Sequence, residues 1–242
     1  MRPTFNTKLI SSIPLEFRDK ENYWFGLSLR ARLIVFNKKT VEKNELNGYL
    51  GLAEKKWRKR ILVRSANNVY NQSLISAMLL NYGEKKTEAF LKKFVSNFAR
   101  KPSGGDRDQI KAIISGLGDL ALVNSYYYFY MKNNDKKDIL KDLDVYFPED
   151  GKMRTHVNIS GAGIIKHSVN GKNAEKFLEF MVSEEGQKIY SDVNYEYPVR
   201  KNVILNKFML KYKIFNQDKL NLAEIGKVNK KALLLMDKAG WK

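Results

Sequence analysis

The side chains best suited to chemistry in this chain are phenols. Residues 121–130 read ALVNSYYYFY, which puts Tyr126, Tyr127, Tyr128 and Tyr130 within five positions. A phenol ionises near pH 10, so it is a poor ligand until a strongly polarising cation displaces its proton. Once ionised it is a hard anionic donor, and with so few nitrogen or sulfur donors in the chain, ferric iron is the natural cation for it. Tyrosine ligation of iron is known from the haem of catalase, but no haem-attachment pattern occurs here. Two other uses of clustered tyrosines stay open: amphipathic packing and base stacking.

Other chemistries lack parts. The chain has no cysteine and two histidines, His156 and His167, separated by a glycine-containing segment. Disulfides, thiolate metal sites and cysteine nucleophiles are excluded, and a zinc or serine-hydrolase site has few residues to draw on. Residues 115–121, SGLGDLA, approach a dinucleotide fingerprint, but that motif needs a strand before it and a helix after it, the reverse of the order here. SGAGII at 160–165 sits inside strand-like sequence. The 242 residues carry 44 Lys and Arg against 26 Asp and Glu, a net charge of +18, which favours nucleic acid, an acidic membrane surface or a small anion as partner. KKWRKR at 55–60 reads either as a phosphate-tracking patch with a stacking ring or as a solvated surface around one anchoring Trp57. No apolar run reaches the roughly 18 residues of a membrane span, and Met1 is followed by RPTFNTKLISSIPLEF rather than by a continuous apolar secretory core.

The elements that must position the tyrosines alternate in period between strand and helix, which predicts an α/β fold. SLRARLIVFN (28–37), DLALVN (119–124) and HVNISGAGIIK (156–166) read as strands. SLISAMLLNYG from Ser73 and KKTEAFLKKFVSNFA from Lys85 read as consecutive helices, with Gly83 as the stop between them. GGDRDQIKAIISG gives a helix capped at Asp106 that feeds the DLALVN strand. NAEKFLEFMVSEEGQKIY and KKALLLMDKAGWK are further amphipathic helices, and residues 133–152 read as loop. Tyr126 and Tyr127 fall just past a strand's carboxyl end, where α/β sheets place ligands.

Several blocks, taken together, resemble the periplasmic iron(III)-binding proteins of bacterial ABC uptake systems, the tyrosine-rich type in particular. They are WFGLSLRARLIVFNK (24–38), LAEKKWRKRILVRSANNVYNQSL (52–74), NFARKPSGGDRDQIKAIISGLGDLALVNSYY (97–127), NISGAGIIKHS (158–168), YEYPVRK (195–201) and the terminal KAGWK. The resemblance implies a type II periplasmic-binding-protein fold of two α/β lobes closing over a metal in the cleft. Residues 1–38 and 154–204 would form the remainder of the first lobe, and 39–153 with 205–242 the second. It implies Fe(III) bound by Tyr70, Tyr126 and Tyr127, with Arg30 near the iron and Arg32 a neighbour of the same type. Ser65, Ala66 and Asn67 at a helix start, with Asn124 nearby, would hold a synergistic anion. The implied partner is an ABC permease, reached at the membrane surface by a monomer in the periplasm, with no nucleic acid and no catalytic turnover.

The family's chains begin upstream of this one. Its signal peptide, the first strand-helix units of the first lobe and an N-terminal His or Tyr ligand have no counterpart in these residues, so an incomplete first lobe with an exposed sheet edge is expected. Arg100, Asp106 and Arg107 are expected to cap helices and form ion pairs, and Tyr128 and Tyr130 to pack or line the rim. The rival readings are a basic nucleic-acid binder using tyrosine stacking and a metal-dependent enzyme.

Overall fold

A computed structural model of the chain describes residues 1–134, 139–212 and 215–242. Its organising element is β1 (Phe25–Asn37), thirteen residues of which eleven are buried. So apolar a run needs cover on both faces. Its first half pairs antiparallel with β5 (Val157–Ala162), and at Ser28 and Leu29 also with β6 (Tyr197–Pro198). Its second half, from Arg32 on, pairs antiparallel with β3 (Leu120–Asn124) and with β4 (Leu143–Tyr146). A short parallel strand, β2 (Ile61–Leu62), extends the order to β2-β3-β1-β4. Arg30 and Arg32 therefore stand where one strand exchanges one set of partners for another.

Side-chain alternation along the strands separates two cores. Leu33 and Val35 of β1, with Ala121 and Val123 of β3, pack into one cluster with Tyr128 and Phe129. Ile34 and Phe36, with Leu120 and Leu122, pack into the other with Trp57, Leu74 and Met78. The second cluster is covered by α2 (Val69–Tyr82), α3 (Glu84–Ser96), α8 (Leu222–Lys227) and α9 (Asn229–Lys238). On the other side lie α1 (Thr7–Ser12), α4 (Asp106–Ile114), α5 (Ser125–Asn134), α6 (Gly171–Met181) and α7 (Glu184–Asn194).

Three local expectations need correction. The stretch at 133–152 is not all loop: LDVY at 143–146 alternates buried and half-buried positions and joins the sheet as β4, while residues 135–138 lie outside the described residues. The helix expected from Ser73 begins at Val69, because the Asn68 side chain accepts the Tyr70 N–H (3.1 Å) and caps it four residues early. Gly105, not Asp106, is the cap residue of α4; its N–H donates to Asp108 (2.7 Å), and Asp106 turns inward instead.

The glycine-rich pairs serve as chain geometry. Gly116 has φ 74° and ends α4, Gly118 lies so close to Arg60 that a Cβ would sit 2.9 Å from its carbonyl oxygen, and Gly161 lies within β5. Neither opens a helix after a strand. β5 has β1 as its strand neighbour among the described residues, and Ile165, Val169, Phe177 and Phe180 beyond it are exposed.

Candidate metal centre

Three phenols from two helices meet beside the point where β1 changes partners. Tyr70 stands in the first turn of α2, and Tyr126 and Tyr127 stand in the first turn of α5. The Tyr126 and Tyr127 rings are 4.0 Å apart, centroid to centroid. Tyr127 and Tyr70 both stand close to Tyr126, and burial followed by those two neighbouring phenols pushes its phenol well above the ordinary value. A cation bound by this phenol would have to displace that proton.

Helical spacing explains which tyrosines stay available. On α5, positions 126, 127 and 130 share one face, whereas Tyr128, Phe129 and Met131 point into the core. Tyr128 is fully buried and donates to the Leu143 carbonyl (3.0 Å); Tyr130 remains exposed at the rim. Both agree with the expected packing and rim roles.

Each of the three phenol rings has a guanidinium over it. Arg30 lies 5.4 Å from the Tyr126 centroid, Arg64 5.8 Å from Tyr70, and Arg107 5.7 Å from Tyr127 and 4.9 Å from Tyr130. Arg30 Nε is 3.2 Å from Glu196 Oε1, and its guanidinium also donates to Ser160 Oγ. Glu196 is buried and accepts from Ser28 Oγ. Burial alone would lower the Arg30 pKa, but the Glu196 carboxylate and then Tyr70 outweigh it and raise it. Arg107 does not take the ion pair expected of it; among the described residues it faces rings.

Arg32 shares a face of β1 with Arg30 but lies in the wall behind the phenols. It is fully buried and donates to Asp106 Oδ2 (3.1 Å), to Asn124 Oδ1 (3.3 Å) and to Asn71 Oδ1. Asp106 also accepts the Asn124 N–H (2.7 Å) and sits 3.5 Å from Arg64. Arg32 and Asn124, both expected near the iron or its anion, thus occupy a closed polar layer that holds α2, α4 and β3 together. Arg100 bonds Gln109 (3.3 Å) instead of a carboxylate.

Ser65, Ala66 and Asn67 form the loop entering α2. Asn71 Nδ2 donates to the Arg64 and Ser65 carbonyls (3.0 Å each) and Gln72 Nε2 to that of Ala66 (3.0 Å), which pins the loop through its acceptors. Asn67 is exposed, Ser65 half-buried and Ala66 buried.

No other donor set competes. His156 is fully buried, 2.8 Å from Ser73 Oγ, and burial followed by the Arg32 charge lowers its pKa to about 3, so it is neutral. His167 is exposed. Among the described residues no three His, Asp or Glu gather where they could hold a metal. Trp57 is fully buried beneath Lys56 (4.9 Å) and Arg60 (5.1 Å), so the basic cluster offers no ring for stacking.

Sequence reasoning missed Glu196 and Arg64, and gave Arg107 only a capping and ion-pairing role. The signal available for Glu196 was an acid between two tyrosines in YEYPVRK; for Arg107, a cation in the first helical turn, where the dipole disfavours it. A cavity of about 330 Å³ beside Tyr70, lined by Ser73, Asn158, Ile159, Leu222 and Asn229 among others, also had no sequence signal.

Residues 3–221 match the family of bacterial extracellular solute-binding proteins. The chain belongs to that family. Iron uptake protein A1 of a Synechocystis species is 41% identical over 244 residues, covering 100% of this chain and 68% of that protein. Among solved structures, a Trichodesmium protein, IdiA or FutA, in complex with iron and citrate ligands superposes with a TM-score of 0.95 at 42% identity, covering 100% of this chain and 78% of that one. A ferric binding protein from Campylobacter jejuni superposes at 0.93 with 34% identity, covering 100% and 78%. The expected type II architecture is thus the fold of this solute-binding chain. No helix among the described residues is long and apolar enough to cross a membrane.

Proposed function

We propose that this chain captures ferric iron through the phenolates of Tyr70, Tyr126 and Tyr127 and delivers it to an ABC permease. The observation that carries this reading is the convergence of three phenols at one point, with no carboxylate or histidine cluster to rival them among the described residues. Three phenolates balance the charge of Fe(III), and the oxygen set suits so hard a cation. Three ligands leave octahedral positions open, so water, an anion or a further group completes the shell. The loop of Ser65, Ala66 and Asn67 at the start of α2 is our assignment for an anion contact, favoured by helix-terminal N–H groups and the dipole.

We assign residues 1–38 and 154–204 to one lobe and 39–153 with 205–242 to the other; β1, which leads into that boundary, already exchanges its strand partners between Ala31 and Arg32, seven residues before it. Ligand capture would shift the lobes toward a closed state. The protein would act as a monomer in the periplasm, docking on its permease at the membrane surface. The net charge of +18 is then a property of the surface.

The test is a visible-absorption titration of the purified chain with ferric citrate. A red-orange phenolate-to-iron charge-transfer band that weakens in Tyr126→Phe and in Tyr127→Phe supports the reading. No band in a demonstrably folded protein overturns it for this chain.

A further inference from the structure

The three guanidiniums over the phenol rings are not equivalent. Arg30 is paired with Glu196 and Arg64 with Asp106. Arg107 has no carboxylate partner among the described residues, although Asp106 and Asp108 flank it in the same helical turn. Asp108 is engaged by the Gly105 N–H and Asp106 by Arg32, Arg64 and the Asn124 N–H. Both neighbouring acids are thereby held away from it. A cation in the first turn of a helix also stands against the helix dipole. The contacts that offset this cost are two aromatic faces, Tyr127 at 5.7 Å and Tyr130 at 4.9 Å, three positions apart on α5.

We propose that Arg107 is a positioning residue of the ferric site: it clamps Tyr127 against Tyr130 and presents an uncompensated positive charge to the oxygen that becomes negative when iron binds. The inference rests on the phenolate reading above. Attraction between a cation and a ring strengthens when the ring becomes an anion, so the clamp tightens in the loaded state. Tyr126 receives a guanidinium already balanced by Glu196, and Tyr70 one that shares Asp106 with Arg32. Tyr127 alone receives a guanidinium unopposed by any carboxylate of the described residues. Tyr130 gains a role as the fixed second face of the clamp, without ligating.

Arg107→Gln keeps chain length and removes the charge; Arg107→Lys keeps the charge and loses the planar fork. Arg58→Gln, on the exposed surface beside Trp57, removes one charge elsewhere as a control. Each variant is titrated with ferric citrate, the affinity read by competition with free citrate and the charge-transfer maximum recorded. We expect Arg107→Gln to lose roughly tenfold in affinity and to move the band to longer wavelength, because a phenolate without its cation gives up an electron more easily. Arg107→Lys should recover most of the affinity, and Arg58→Gln should match the unmodified chain. Tyr130→Leu should shift the band in the same direction by less, and Tyr130→Phe should leave it in place. An unmoved band in Arg107→Gln, with or without lost affinity, overturns the proposal, as does an equal effect in Arg58→Gln. No band in the unmodified, folded chain overturns the phenolate reading itself, whereas a band indifferent to Arg107 overturns only the clamp.

Discussion

Two polar layers lie back to back in this molecule, built from residues one or two positions apart in the chain. Arg30, Tyr70, Arg107 and Tyr126 face the phenol cluster; Arg32, Asn71, Asp106 and Asn124, each one or two positions away, face inward. The inner layer is buried and joined by hydrogen bonds and ion pairs, with Arg32 Nε and Asn124 Nδ2 left without a partner: Asp106, Arg32, Asn71 and Asn124 are at most 1% exposed. In the outer layer Arg107 is exposed and the others are half-buried, and the phenols stand against one another. Half-buried phenols can give up their protons to a metal, whereas a buried guanidinium deprived of its carboxylate has nowhere to turn. The inner layer sets position and the outer layer keeps the freedom to bind.

The sharpest way to break that division is to cut the inner layer. Asp106→Ala leaves Arg32 buried and unpaired and should cost about 3–5 kcal/mol, seen as a large fall in denaturation midpoint. A loss below about 1 kcal/mol would mean that the layer is not structural. In the outer layer, Tyr70→Phe, Tyr126→Phe and Tyr127→Phe should each keep stability within about 1 kcal/mol, since the hydroxyl of a half-buried phenol adds little net stability. Each should nonetheless weaken iron binding by at least tenfold in citrate competition. If stability falls and binding persists, the two layers have been assigned the wrong way round.

His156 tests the boundary between the layers. Its folded pKa is depressed to about 3 against an unfolded value near 6.5, so the unfolded chain binds the proton first. The stability from its neutral state is fully present above about pH 6.5 and is lost as pH falls toward about 3. His156→Gln should flatten that limb of a melting-temperature profile in metal-free protein; an unchanged slope would place the acid sensitivity elsewhere. The smallest effect is expected from Lys59→Ser, which removes an exposed charge beside buried Trp57 and should change stability by less than about 0.5 kcal/mol and leave iron binding unaltered.

Much of this was legible in the chain. Strand β1 announced itself by a near-continuous apolar run, helices α2 and α3 by spacing around Gly83, and the phenols by crowding at 126–130. The short strand β4 was not legible, because four residues with two polar positions give too little pattern to separate from loop. The extension of α2 to Val69 turned on a single capping contact from Asn68. Arg30 and Arg32 were indistinguishable as letters, since both lie on one strand face in the same local sequence.

What residue order determines here is local: period, caps, charge, and a supply of hard oxygen donors with almost no nitrogen or sulfur to compete. Only the tertiary structure decided that Tyr70 reaches Tyr126, that Arg30 meets Glu196 from the far end of the chain while Arg32 meets Asp106, and that Trp57 is sealed beneath its cations. The physical reason is that these outcomes depend on where β1 exchanges partners and on which charges lose water. Both are set by contacts between segments distant in sequence.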